Sequence, residues 1–212
     1  MAAVFLSEGV RNGHFIVNES NGTRSREAGR LASGNDLVAG AVLGQITSAV
    51  TETAGTNTGN GVIGQATLGT DAINGVYTLT LETAVANGGV FSVVAPNGAV
   101  LADLTVAVAY VGSHINLTVA DGATDFIVGD TFTVNVIFGE YAEHDPAASD
   151  GSQTAVAILY GNVDATTVEK DCVVIVRDCE VNEKELTFKT AMTEVNKANA
   201  LTNLKTVGII AR

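Results

Sequence analysis

The sequence predicts a mainly β chain with one helix near its C-terminal end and a small β-sandwich or barrel inserted in its middle. Three observations predict this. Val and Thr are abundant among frequent Gly and Asn, a mixture that favours pleated strands joined by tight turns. Alternating runs recur between positions 76 and 137 at the spacing of a sandwich or barrel. A single stretch, 190–205, places apolar residues at three- and four-residue steps.

The first zone, residues 1–36, is dense in Gly and Asn, among them Gly9, Asn12, Gly13, Asn18, Asn21 and Gly22. Its apolar anchors are few: Phe5, Leu6, Phe15, Ile16 and Val17. Such a segment buries too little apolar surface to order itself alone. It is expected to be an extended arm that gains structure on a partner, with residues 15–17 as its best strand candidate.

The second zone opens with two short strand-like pieces, residues 37–39 and 41–46, joined at Gly40. Residues 53–138 then contain no Lys or Arg and many turn signals. Strands are expected at 76–81, 90–94, 104–109, 115–119 and 131–137, separated by Asn87-Gly88-Gly89, Pro96-Asn97-Gly98 and Asp121-Gly122. This stretch reads as a self-contained module inserted into a domain formed by residues 37–52 and 139–212.

In the third zone, residues 154–160 and 172–176 read as strands. Ala191, Val195, Ala198, Leu201 and Leu204 line one face of the expected helix, and residues 207–210 close the chain as a last strand or extended tail.

Charge narrows the partners. Lys and Arg number 11 against 23 Asp and Glu, a net charge of −12 that repels phosphate backbones and argues against nucleic acid. Locally the first thirty residues differ, with Arg11, Arg24, Arg26 and Arg30 against Glu8, Glu19 and Glu27. No further base follows until Lys170. Such an arm suits an acidic partner. No apolar run approaches the roughly 20 residues that span a bilayer, and residues 1–6 are too short for a signal-peptide core. The expectation is a protein made and used in a cytoplasm, with no membrane partner.

Chemistry-bearing constellations are sparse. His14, His114 and His144 are scattered, without the spacing of a metal pair. His144 and Asp145 fall in a polar stretch, 140–146, expected to be a solvated loop. Asp121, Asp125 and Asp130 have the composition of a calcium loop but not its alternation, and read as turn formers. Cys172 and Cys179 are seven apart, on opposite faces if one strand holds both, and are expected to be reduced and buried or half-buried. Phosphate-binding glycine loops and nucleophile motifs are missing, so neither an enzyme nor a cofactor is expected.

The run Ser25-Arg26-Glu27, followed by Leu31-Ala32-Ser33-Gly34-Asn35-Asp36-Leu37-Val38-Ala39-Gly40-Ala41-Val42-Leu43-Gly44, resembles the opening of the phage lambda-type head decoration proteins. Asp150-Gly151, with Ala155-Val156-Ala157-Ile158-Leu159, resembles that family's later core, with Ala157 standing where the family usually has Gly. Val163-Asp164-Ala165-Thr166 and the ending around Gly208-Ile209 fit its remaining pattern. The resemblance covers residues 24–50 and 139–212. It implies a β-tulip-like decoration domain that assembles as a homotrimer on the outer surface of the expanded phage head and stabilises it. The implied partner is the major capsid protein, met in the host cytoplasm during assembly. The N-terminal arm would then add a strand to that protein through Phe15, Ile16 and Val17, while Arg24, Arg26 and Arg30 meet its acidic groups. A rival reading is a phage tail or surface adhesin whose inserted module binds host envelope glycans.

Overall fold

The computed structural model describes residues 9–212, and the side chains of all of these but 22 and 23. Strand accounts for 43% of the chain and helix for 9%, so the fold is mainly β. The chain forms two compact units. One runs up to Thr47 and resumes at Gly139; the other is Ser48–Phe138. Among the described residues no helix is long and apolar enough to cross a membrane.

The unit made of the two chain ends is built round a closed five-stranded barrel, in the order Tyr141–Glu143, Arg26–Leu31, Lys170–Ile175, Ala155–Leu159 and Val42–Gln45. Closure removes the exposed edges that an open sheet this small would present. Its filling is aliphatic: Leu31, Leu43, Ala157, Leu159 and Val174 are buried together, with Tyr141 and Cys172 beside them. Gly44 sits where a Cβ would overlap the Ser152 backbone, so the strand can pass there only without a side chain.

A second core lies in the same unit. Ile16–Glu19, Cys179–Val181 and Ile209–Ala211 form a three-stranded sheet, with Cys179–Val181 in the centre. Phe15, Val181, Ile209, Ile158 and Ile175 are buried with Ala200 and Leu204 of the helix Glu194–Thr206. The helix begins at Glu194 rather than 190 for two local reasons. Ala191 takes a positive φ of 62°, outside helical geometry. Thr193 then caps the helix, its hydroxyl accepting from the Asn196 amide at 3.3 Å.

Ser48–Phe138 contains a five-stranded antiparallel sheet ordered Leu104–Thr105, Gly88–Val94, Gly75–Val85, Thr131–Ile137 and Ala49–Ala54. Shorter ladders complete it: Tyr110–Val111 and Thr67–Leu68 flank Ile115–Leu117, and Val119–Ala120 pairs with Val62–Ile63. Tyr77, Leu79, Phe91, Phe126, Phe132 and Val134 are among the side chains of its core. Two expected strands are cut short. The one at 104–109 ends at Thr105, because Ala107 turns the chain with a φ of 63°. The one at 115–119 divides between two ladders at Thr118. This unit begins at Ser48, not 53, because Ala49–Ala54 pairs along its whole length with Thr131–Ile137, from Ala49 opposite Ile137 to Ala54 opposite Phe132.

Each unit is closed where the chain passes between them. In the first, the Ile46 amide donates to Glu140 O at 2.8 Å and the Gly139 amide to Ile46 O at 2.6 Å, finishing a hairpin. In the second, the first and last strands are direct neighbours. Replacing residues 48–138 with an Asn-Gly turn should therefore leave the first unit cooperatively folded. A thermal melt followed by circular dichroism tests this, and a broad, non-cooperative melt would show that the first unit needs the excised residues.

Candidate interaction surface

The N-terminal strand is pinned before it begins. The Gly13 amide donates to Tyr160 O at 2.8 Å, and Phe15 O accepts from the Asn182 amide at 2.8 Å. Phe15 between them is fully buried. Ile16–Glu19 then pairs antiparallel with Cys179–Val181, with an irregularity between Ile16 and Asn18 that leaves Val17 at 60% exposure. Cys179–Val181 pairs on its other side, in parallel, with Ile209–Ala211. Asn18, Glu180 and Ile210 thus stand in one row across the sheet. A cleft of about 440 Å³ is lined by Asn18, Glu19, Ser20, Asp178, Glu180 and Ile210, with Gly208 and Cys179. Ile210 adds a second exposed aliphatic, at 39%.

These facts correct the expectation of an extended arm over residues 1–36. Arg26–Leu31 is a barrel strand paired residue by residue with Lys170–Ile175, and Asn35–Leu37 pairs with Val163–Ala165. The apolar surface and hydrogen-bond partners missing from the segment itself come from residues far along the chain. Residues 1–8 of the expected arm lie outside the described residues. Phe15 is a core residue, Ile16 is half-buried, and only Val17 of the three faces out.

The arginines already hold acids of their own chain. Arg24 Nε donates to Asp178 Oδ2 at 2.7 Å. Arg26 grips Glu19 with two donors, Nε to Oε2 at 3.0 Å and Nη2 to Oε1, and its guanidinium lies 4.1 Å from the Tyr160 ring centroid. The Glu19 bond holds the Arg26 pKa above its usual value, against the opposing effect of burial. Arg30 Nη2 donates to Glu169 at 2.9 Å, further along the same strand. The structure therefore brings Arg24 and Arg26 together beside the cleft and leaves Arg30 apart. Sequence reading did not find Asp178, Glu180, or Arg212 (which reaches Glu180 at 2.6 Å), because they join this surface only through strand pairing. The Arg24 and Arg30 pairs are solvent-exposed and worth at most about 1 kcal/mol each, so a partner's carboxylates can displace their present ones.

Two further expectations change. Residues 140–146 are not a solvated loop: Tyr141–Glu143 is a barrel strand and His144 is buried, its Nε2 3.1 Å from Gln153 O. Burial lowers the His144 pKa. Cys172 and Cys179 are not in one strand, since the first ends at Ile175 and Asp178 turns the chain with a φ of 49°. Both thiols are free and buried, and burial pushes each up to about 11. Among the described residues no three His, Cys, Asp or Glu are placed to hold a metal ion. What the surface offers is recognition: exposed aliphatics, exchangeable ion pairs and a strand at the margin of its sheet.

The family model of bacteriophage lambda head decoration protein D matches residues 5–209, nearly the whole chain. The chain belongs to that family. Head decoration proteins of this family are virion components of the phage capsid. No curated protein sequence matches this decoration protein. Among solved structures, two crystal forms of Xanthomonas campestris FlgL match at 17% identity and a TM-score of 0.33. They cover 47% and 45% of the decoration protein and 32% and 31% of FlgL, so it spans about a third of FlgL's length. A likeness at that level carries no argument about function.

Proposed function

We propose that this protein binds the outer surface of the expanded phage head as a homotrimer and stabilises the shell. The family match over residues 5–209 carries the reading. The unit formed by the chain ends acts as the decoration domain, of β-tulip type, and Ser48–Phe138 is an insertion into it. Contact with the major capsid protein is made by Val17, the margin of the Ile16–Glu19 strand and the residues that precede Gly13. Arg24 and Arg30 exchange their own acids for those of the capsid, while Phe15, Ile16 and Arg26 hold the strand in place.

The stabilisation follows from linkage. A protein that binds the assembled shell and not its separated subunits stabilises the shell by about RT ln(1 + [L]/Kd) per site. Three copies held together raise the effective concentration of each contact for the next. In the insertion the rings of Tyr77, Phe91, Tyr110, Phe126 and Phe132 are buried and that of Phe138 is half-buried.

Co-sedimentation of the purified protein with undecorated expanded heads and with unexpanded proheads tests the proposal. Binding to expanded heads alone, with heads more resistant to heat, is the expected result. A folded protein that sediments with neither would overturn it.

A further inference from the structure

The long strand Gly75–Val85 outruns one of its neighbours. Thr131–Ile137 pairs with it from Gly75, opposite Val136, only as far as Thr80, opposite Thr131. Beyond Thr80 the strand continues with Gly88–Val94 alone, and the pair closes at Val85 opposite Gly88. The chain enters and leaves this unit at the other end, where Ala49 faces Ile137. Eleven residues of strand put the hairpin tip about 30 Å from that end. The loop 125–129 runs alongside the overhang. Asp125 Oδ1 accepts from the Asn87 amide at 3.0 Å, and the Gly129 amide donates to Leu81 O at 3.0 Å. Hairpin and loop together expose Val85, Ile127 and Val128, the last at 63%. Glu82 and Asp125 are exposed among them.

Phe126, between Asp125 and Ile127, is buried against Phe91 and Phe132, so the loop is anchored and the aliphatics that follow are held outward. Aliphatic side chains clustered on a fixed, exposed tip mark a contact surface. Charge says what kind. Ser48–Phe138 carries Asp or Glu at seven positions and Lys or Arg at none. The like-charged tip of a second copy, an anionic lipid surface and nucleic acid are all repelled. A protein surface on which an aliphatic side chain sits among Lys or Arg complements both the aliphatics and the acids of the tip. We propose that Val85, Ile127 and Val128, with Glu82 and Asp125, form a docking site for a basic, aliphatic segment of another protein. The proposal concerns this unit alone and goes beyond the head-binding reading, which assigns the unit no contact.

Fluorescence anisotropy of a short labelled peptide alternating Lys and Leu, titrated with the full chain, tests the proposal. The peptide should bind, and its affinity should fall as salt is added. Ile127→Ser with Val128→Ser removes two exposed aliphatic contacts and should weaken binding by about tenfold or more. The circular dichroism spectrum should not change, since both side chains are exposed. Glu82→Lys should weaken binding by a similar factor. Val111→Ser should change nothing, because Val111 is exposed on a ladder that meets Tyr77 through His114, near the entry end. A peptide alternating Lys and Ser that binds equally well would reveal bare charge attraction and overturn the proposal. So would a Lys–Leu peptide that does not bind, or one that is indifferent to the Ile127 and Val128 changes. Phosphatidylglycerol vesicles should not bind. If they do, and the double variant abolishes it, the tip is a lipid contact and the proposal falls. Sedimentation with heads is read separately, so either reading can fail while the other stands.

Discussion

Phe15→Ala is expected to cost the unit formed by the chain ends about 3–5 kcal/mol, the range for truncating a fully buried phenylalanine. Phe15 is packed in one cluster with Val181, Ile209 and Leu204, so its loss opens a cavity where the N-terminal strand, the C-terminal strand and the helix meet. Amide exchange read separately in the two units checks this, because the effect should be confined to residues of the first. Val17→Asp is the matched control. Val17 faces solvent, so that change should alter stability by no more than about 0.5 kcal/mol while weakening sedimentation with expanded heads. The opposite pattern, a stable Phe15→Ala protein that no longer binds heads, would mean that Phe15 belongs to the partner and that the N-terminal segment is an arm after all.

Which parts of this fold could be read from the sequence follows from where each element finds its partners. Thr131–Ile137 alternates cleanly, because its Phe132, Val134 and Val136 enter the core while their neighbours are half-covered, and the pattern is visible in the residues themselves. Ala49–Ala54 lies at the margin of the same sheet with little buried, so its alternation is faint and sequence reading passed over it. Residues 9–36 were legible as poor in apolar content but not as folded. Their order depends on Lys170–Ile175 and Cys179–Val181, which no local window contains.

The helix gives a similar lesson on a smaller scale. Ala191, Val195, Ala198, Leu201 and Leu204 recur at helical steps, yet Leu204 is the only one of the five that the core encloses. Spacing alone reports that apolar residues share a face, not which face is inside. The candidate surface was legible in its bases and not in its acids. Arg24 and Arg26 stand in a Gly- and Asn-rich stretch where they look unpartnered, whereas Asp178 arrives only once the strands have paired. Charge balance along a sequence therefore overstated how much positive charge the folded surface offers.

Phe126→Ala should produce the corresponding loss in the other unit, again about 3–5 kcal/mol. The Phe126 ring meets Phe91 edge-on at 5.4 Å and Phe132 at 5.8 Å, and Phe91 and Phe132 lie 5.7 Å apart, so three rings share one pocket. Glycine is required around them: a Cβ at Gly59 or Gly61 would overlap the Phe126 ring. The loop that carries Phe126 is fixed from below by Asp130. Burial pushes the pKa of that carboxyl up, but the amides of Thr58, Gly59 and Ile127 donate to it and hold it below its usual value. Removing one ring leaves the other two without an edge-to-face partner in a site that this loop cannot collapse to fill. Phe126→Leu retains most of the volume and should cost markedly less. In urea, the Ala variant should lower the midpoint of the Ser48–Phe138 unit alone and leave sedimentation with heads unchanged. If both units shifted together, their unfolding would be a single event, and residues 48–138 would be a structural part of the decoration domain rather than an independent insertion.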